Sequence, residues 1–226
     1  MANNNLFQLD KEARFNVGED VSFVSDRQYN LTVGGITAYG LIANALTCFY
    51  FPGVRDKNVY IFILIAYIVC ALAGTAILRS SRNPIISFLG YNMIAVPMGF
   101  MLAIVVNSYA PAIVFNAVGT TASVVVIMVC FSMLFPQVFL SMGRALFISL
   151  IVTVVAGFVM MFISPFNTTI YDFLVAGLFS LYIAYDWAKS NQYPKTLNNA
   201  IWSACDIYLD IVNLFLRILR LLGRKK

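Results

Sequence analysis

Between Lys57 and Lys189 the chain carries only five charged side chains: Arg79, Arg82, Arg144, Asp172 and Asp186. A water-facing domain cannot be drawn through such a stretch, because too few polar groups are available to clothe its surface. Of the 226 residues, 61% are hydrophobic and 11% charged, which lies outside the composition of soluble domains. The chain therefore reads as one compact membrane domain.

Crossing about 30 Å of hydrocarbon takes about twenty apolar residues in a helix. Windows of that kind fall near 31–51, 58–78, 85–106, 111–134, 145–164 and 168–188, with a more polar seventh at 199–222. The fold class is thus all-α, a seven-transmembrane-helix bundle whose seventh span is the questionable one. A polar arm (1–30), a single transmembrane domain (31–222) and a basic tail (223–226) complete the organisation. The breaks read "FPGVRDKN", "RSSRNP", "NSYAP", "PQ", "SPFN" and "KSNQYPK", rich in the residues that end helices and make turns. Pro97 should kink the third span, and Gly34, Ala38, Ala71, Thr75, Ala176 and Ser180 offer faces for close helix approach.

Orientation follows from Lys and Arg in short loops. Arg14 and Arg27, Arg79 and Arg82, Arg144, and Lys189 with Lys195 share one side, while the connections at 107–111 and 165–169 have neither residue. That side is expected to be cytoplasmic, with the N-terminus inside. Seven full crossings would then put Arg224, Lys225 and Lys226 outside, against the rule, unless the last helix is re-entrant. The charged start of the chain argues against a cleavable leader and leaves the first span as the targeting signal.

Cys48, Cys70, Cys130 and Cys205 lie in apolar runs without a CxxC pair and read as packing residues. The absence of histidine removes histidine triads, histidine-ligated zinc or haem and histidine pH sensing. The basic tail fits a membrane flank better than a nucleic-acid patch, and no nucleic-acid partner is expected.

The seventh window holds Asp206, Asp210, Asn213, Arg217 and Arg220 at steps of four, three, four and three. A 3.5-residue period places them on one narrow face. Each intramembrane Asp or Arg facing lipid costs about 2.5–3.5 kcal/mol, so the face should turn inward and the C-terminal helix should be central. Asp186 lies near the end of the sixth span, and the short 189–197 turn folds the seventh helix back beside it. Helix geometry slightly prefers Asp206 over Asp210 as its partner, and a register offset would reverse that. Desolvation and mutual repulsion raise the apparent pKa of paired buried acids, while a nearby Arg lowers it. Ionised, such a pair supplies part of the six to eight oxygens that Ca²⁺ takes, giving weak binding suited to passage. Arg79, Arg82, Arg217 and Arg220 are the cations available to neutralise or latch these acids. Asp172, near a span end, reads as solvated. Internal ion pairs that fix helix register are the competing structural explanation.

Two aspartates on adjacent membrane helices also resemble the dyad of intramembrane aspartyl proteases, but "CDIYLD" lacks the glycines of their GxGD motif. Neither a phosphate loop nor a metal-ligand cluster is visible in the sequence, so no enzyme and no resident cofactor are expected.

The segments "AGLFSLYIAYDW" and "DIYLDIVNLFLRILRLLG" are similar to the hallmark "LFxxYxxYD" and "LDxxNLFxxLLR" of the Bax inhibitor family, also called the transmembrane Bax inhibitor motif family. "YNLTVGGITAYG", "RNPIISFLGYNM" and "FISPFN" are weaker echoes. The resemblance implies seven helices with the last in the middle and, for bacterial members, a pH-sensitive calcium leak. It implies that Asp186 pairs with Asp210, and that an arginine from the end of the second span, here Arg79 or Arg82, latches the first acid. Arg220 falls at the hallmark arginine, whereas Arg217 and Asp206 are variable extras. The reading is a calcium (cation) leak channel of a bacterial plasma membrane. Its alternative is a non-conducting regulator of cell death or of a membrane protease acting through membrane protein partners.

Overall fold

The computed structural model describes residues 14–15, 22–51, 53–54, 56–160 and 168–224. Most of the polar arm, the "SPFN" break and tail residues Lys225 and Lys226 lie outside the described residues. The elements are helices: α1 (Asp26–Tyr50), α2 (Lys57–Ser80), α3 (Pro84–Val106), α4 (Pro111–Leu134), α5 (Pro136–Ser141), α6 (Gly143–Met160), α7 (Thr168–Ser190) and α8 (Leu197–Gly223). Six of them, α1 to α4, α6 and α7, are long and apolar enough to cross a membrane. α8 has the length, but its charged face sets it apart from those six.

Local chemistry accounts for the helix starts. Ser25 accepts from the Gln28 amide at 3.2 Å, Asp56 from Asn58 at 2.7 Å and Asn83 from Ile85 at 2.9 Å; each satisfies an amide that the first turn leaves open. Pro84, Pro111 and Pro136 occupy first-turn positions, where a missing N–H costs nothing. Thr196 does the same for α8, its Oγ1 accepting from Asn199 N at 3.2 Å. Gly53, φ +81°, turns the chain between α1 and α2. The "PQ" break is filled by the short helix α5, and Pro97 lies inside α3.

The chain divides into two compact units, one of residues 1–108 and 190–208, the other of residues 109–189 and 209–226. In the first, α2 and α3 meet at Gly74 and Gly90, where a Cβ on Gly74 would lie 2.6 Å from the Gly90 carbonyl oxygen. Gly34, a close-approach candidate from the sequence, has nothing within 4 Å of its would-be Cβ. Tyr91 and Tyr208 cross edge to face with centroids 5.6 Å apart. Asn44 Nδ2 donates to the Tyr208 hydroxyl at 2.5 Å, and that hydroxyl donates to Ala95 O at 3.4 Å. Residues 199–205 of α8 are buried without a break. In α2, by contrast, only Gly74 and Leu78 are buried. A helix buried on every side needs neighbours all round, which explains why this segment tolerates Asn199 and Ser203 among apolar residues.

In the second unit, Ser132 Oγ on α4 donates to Ala184 O on α7 at 2.6 Å. Phe139 of α5 packs with Ala184 and Ala188, and Leu146 of α6 with Leu178 and Tyr185. The Tyr171 hydroxyl donates to Thr153 O at 2.9 Å, joining α7 to α6.

Candidate functional site

The polar face of α8 falls into two environments. In the first unit, Asp206 Oδ2 accepts from Arg14 Nη2 at 2.5 Å. The Arg14 side chain is 1% exposed, and its Cζ lies 4.2 Å from the Trp202 ring centroid and 4.6 Å from that of Tyr193. A guanidinium this buried needs a carboxylate and aromatic faces to offset its lost hydration, and both are supplied. By sequence alone Arg14 is only a topological charge of the N-terminal arm. Arg79 and Arg82 also belong to this unit; both are exposed, and neither makes an ion pair among the described residues.

In the second unit lie Asp186 of α7 and Asp210 of α8, the latter 8% exposed. The charges of both acids act on the Tyr182 hydroxyl, one helical turn before Asp186. Asn213 turns its amide back on its own helix, Nδ2 donating to Leu209 O at 2.8 Å. Two carboxylates and a phenol can hold a hydrated or partly dehydrated cation, with water completing its shell. Among the described residues no group of three His, Cys, Asp or Glu side chains gathers.

Asp172 overturns its expectation. It is fully buried and bound by three arginines: Arg217 Nη1 at 2.9 Å, Arg220 Nη1 at 3.2 Å and Arg224 Nη2 at 2.8 Å. Arg224 also donates to Thr168 and Thr169. Depth alone suggested solvation for an acid this near a span end; the partners on the neighbouring helix decide otherwise. A signal is present in the sequence, since Arg224 extends the polar face by a further step of four, though its place in the basic tail masks it.

Six helices long and apolar enough to cross a membrane, with Asp186 half-buried and Asp210 buried on the last two helices, define a polytopic membrane protein. The profile described as "Inhibitor of apoptosis-promoting Bax1" matches residues 23–226, and the chain belongs to the Bax inhibitor family. An uncharacterized protein of Helicobacter pylori (strain J99) is 34% identical over 124 residues, 54% of this chain and 53% of that one. A "BI1-like protein" of Arabidopsis thaliana is 40% identical over 84 residues, 36% and 32% of the two chains. An uncharacterized membrane protein of Streptococcus pyogenes serotype M1 is 27% identical over 168 residues, 71% and 72%. The chain spans about half the length of the Helicobacter relatives it matches.

Proposed function

We propose that the protein is a cation leak pathway for Ca²⁺, with Asp186 and Asp210 as its ion-binding and pH-sensing pair and α8 as the central seventh crossing. The observation that supports the reading is Asp210 buried on α8, with both acids close enough to Tyr182 to act on its hydroxyl electrostatically. Carboxylates held this way bind a cation when ionised and release it when protonated, so proton concentration and Ca²⁺ occupancy oppose one another. The N-terminus then faces the cytoplasm of a bacterial cell, as the Lys and Arg distribution requires. Arg79 and Arg82 are the latch candidates on the first acid.

The test is Ca²⁺ uptake into proteoliposomes across a pH series, comparing the unaltered chain with Asp186→Asn and Asp210→Asn. Uptake that depends on pH in the unaltered chain and loses that dependence in both variants supports the reading. Absence of uptake at every pH rejects it. The family description, which names inhibition of a cell-death protein, favours the second reading of a non-conducting regulator; for it, partner capture by the membrane-embedded protein must survive both substitutions.

A further inference from the structure

Asp172 offers its carboxylate to three guanidiniums. Oδ1 accepts from Arg217 at 2.9 Å and from Arg220 at 3.2 Å, and Oδ2 accepts from Arg224 at 2.8 Å. One arginine would neutralise one carboxylate, so the cluster keeps surplus positive charge, and like charges gathered this closely repel one another. A guanidinium also has more N–H donors than one carboxylate oxygen can engage, and Thr168 and Thr169 take only part of what Arg224 offers. The acid lies at the base of the cluster with 0% of its side chain exposed, and Arg220 lies at the open side with 47%. Arg217 is committed inward, its Cζ 5.2 Å from the Tyr171 ring centroid. The surplus charge is therefore presented outward by Arg220 and Arg224.

Position decides what kind of anion fits. The cluster is built from the start of α7, the end of α8 and Arg224 just beyond it, the ends of the helices and not their middles. The Tyr109 ring, from the connection at 107–111, covers Gly223, and tyrosine is enriched at a membrane–water boundary. On the same helix ends Ile170, Phe173, Leu174 and Leu222 are exposed, apolar side chains suited to acyl chains. From this arrangement we propose that Arg220 and Arg224, held in place by Asp172, bind the phosphate group of an anionic phospholipid. The unesterified phosphate oxygens accept paired N–H bonds from a guanidinium fork, and the acyl chains lie along the exposed apolar side chains. Asp172 positions the arginines and stays beneath the lipid. A free phosphate ion would use the same donors but none of the apolar surface. Asp172 lies about 21 Å of helix rise from Asp186, so the lipid site stands apart from the cation reading and does not depend on it.

The test is lipid retention, and it needs no ion flux. The full chain is extracted from vesicles of equal parts phosphatidylcholine and phosphatidylglycerol and weighed by native mass spectrometry with the lipids it keeps. The unaltered chain should favour phosphatidylglycerol, and Arg220→Gln should cut that preference about fivefold, the factor given by one arginine at an anionic surface. Arg144→Gln, which removes an exposed arginine of α6, should leave it unchanged. A second measurement needs no variant: phosphatidylglycerol added to the unaltered protein in neutral detergent micelles should raise the melting midpoint, as a ligand of the folded state does, and millimolar inorganic phosphate at matched ionic strength should not. A chain that keeps both lipids equally, a preference that survives Arg220→Gln, or one that Arg144→Gln lowers as much, overturns the site. Inorganic phosphate that stabilises as well as phosphatidylglycerol assigns the arginines to a soluble anion and overturns the lipid.

Discussion

Replacing Asp172 with Asn should be among the most damaging single changes of charge available in this protein. The side chain is fully buried, whereas Arg217, Arg220 and Arg224 are 21%, 47% and 30% exposed. Asn keeps the shape and one acceptor oxygen but leaves three guanidiniums gathered without their counter-charge. Breaking a buried pair costs about 3–5 kcal/mol, and exposed pairs contribute about 0–1 kcal/mol. Since each arginine retains some access to water, the expected loss is about 2–3 kcal/mol, carried mostly by Arg217, the least exposed of the three. At about 2–4 °C per kcal/mol for a chain of this size, the unfolding midpoint should fall by about 4–12 °C. Tryptophan fluorescence during heating in detergent micelles measures this through Trp187 and Trp202. Adding Arg217→Gln to Asp172→Asn should cost little more, or recover part of the loss, because it removes one of the stranded charges. A single variant that melts within about 2 °C of the unaltered protein refutes the argument, for it would mean that the arginines are held by something other than the acid.

Two further outcomes follow from packing. Gly74→Ala drives a methyl group toward the Gly90 carbonyl oxygen, 2.6 Å away, and forces α2 and α3 apart; the same melting assay should show a loss of about 1–3 kcal/mol, while Gly34→Ala, with open space around it, should show none. Tyr208→Phe deletes the partner of Asn44 Nδ2 and strands a buried amide, at a cost of about 1–3 kcal/mol; adding Asn44→Leu should return part of the stability, and a double variant weaker than both singles would refute the pairing.

The six candidate spans were legible because apolarity over a helical length is a local property, and the helix starts because Ser25, Asp56 and Asn83 cap amides within three residues while the prolines sit where no N–H is needed. The polar face of α8 was legible for the same reason: its spacing lies within one helix. What failed depended on neighbours distant in sequence. Gly34 and Gly74 are indistinguishable as letters, and only the approach of Gly90 gives one of them a role. Asp172 looked solvated by its place in its own span, and its burial is decided by arginines 45 to 52 positions away. Arg14 carried no local sign of its partner, since an arginine in a polar arm resembles any other. The pairing of Asp186 with Asp210 rests on the family resemblance, where helix register alone slightly favoured Asp206.

Val24 N donates to Lys195 O at 2.8 Å, and Phe23 bridges Thr196, so the entrance to α1 is fastened to the turn before α8. The first compact unit therefore draws on both ends of the chain, with residues 190–208 inserted among helices made much earlier. At about 5–20 residues per second, a ribosome needs about 4–16 s to travel from Ser108 to Ser190. During that interval α1, α2 and α3 have been made while the helix that fills their interior has not. Biogenesis thus has a built-in waiting period, and a chain stalled before Leu197 would present the membrane's quality control with three helices that lack the segment completing their core.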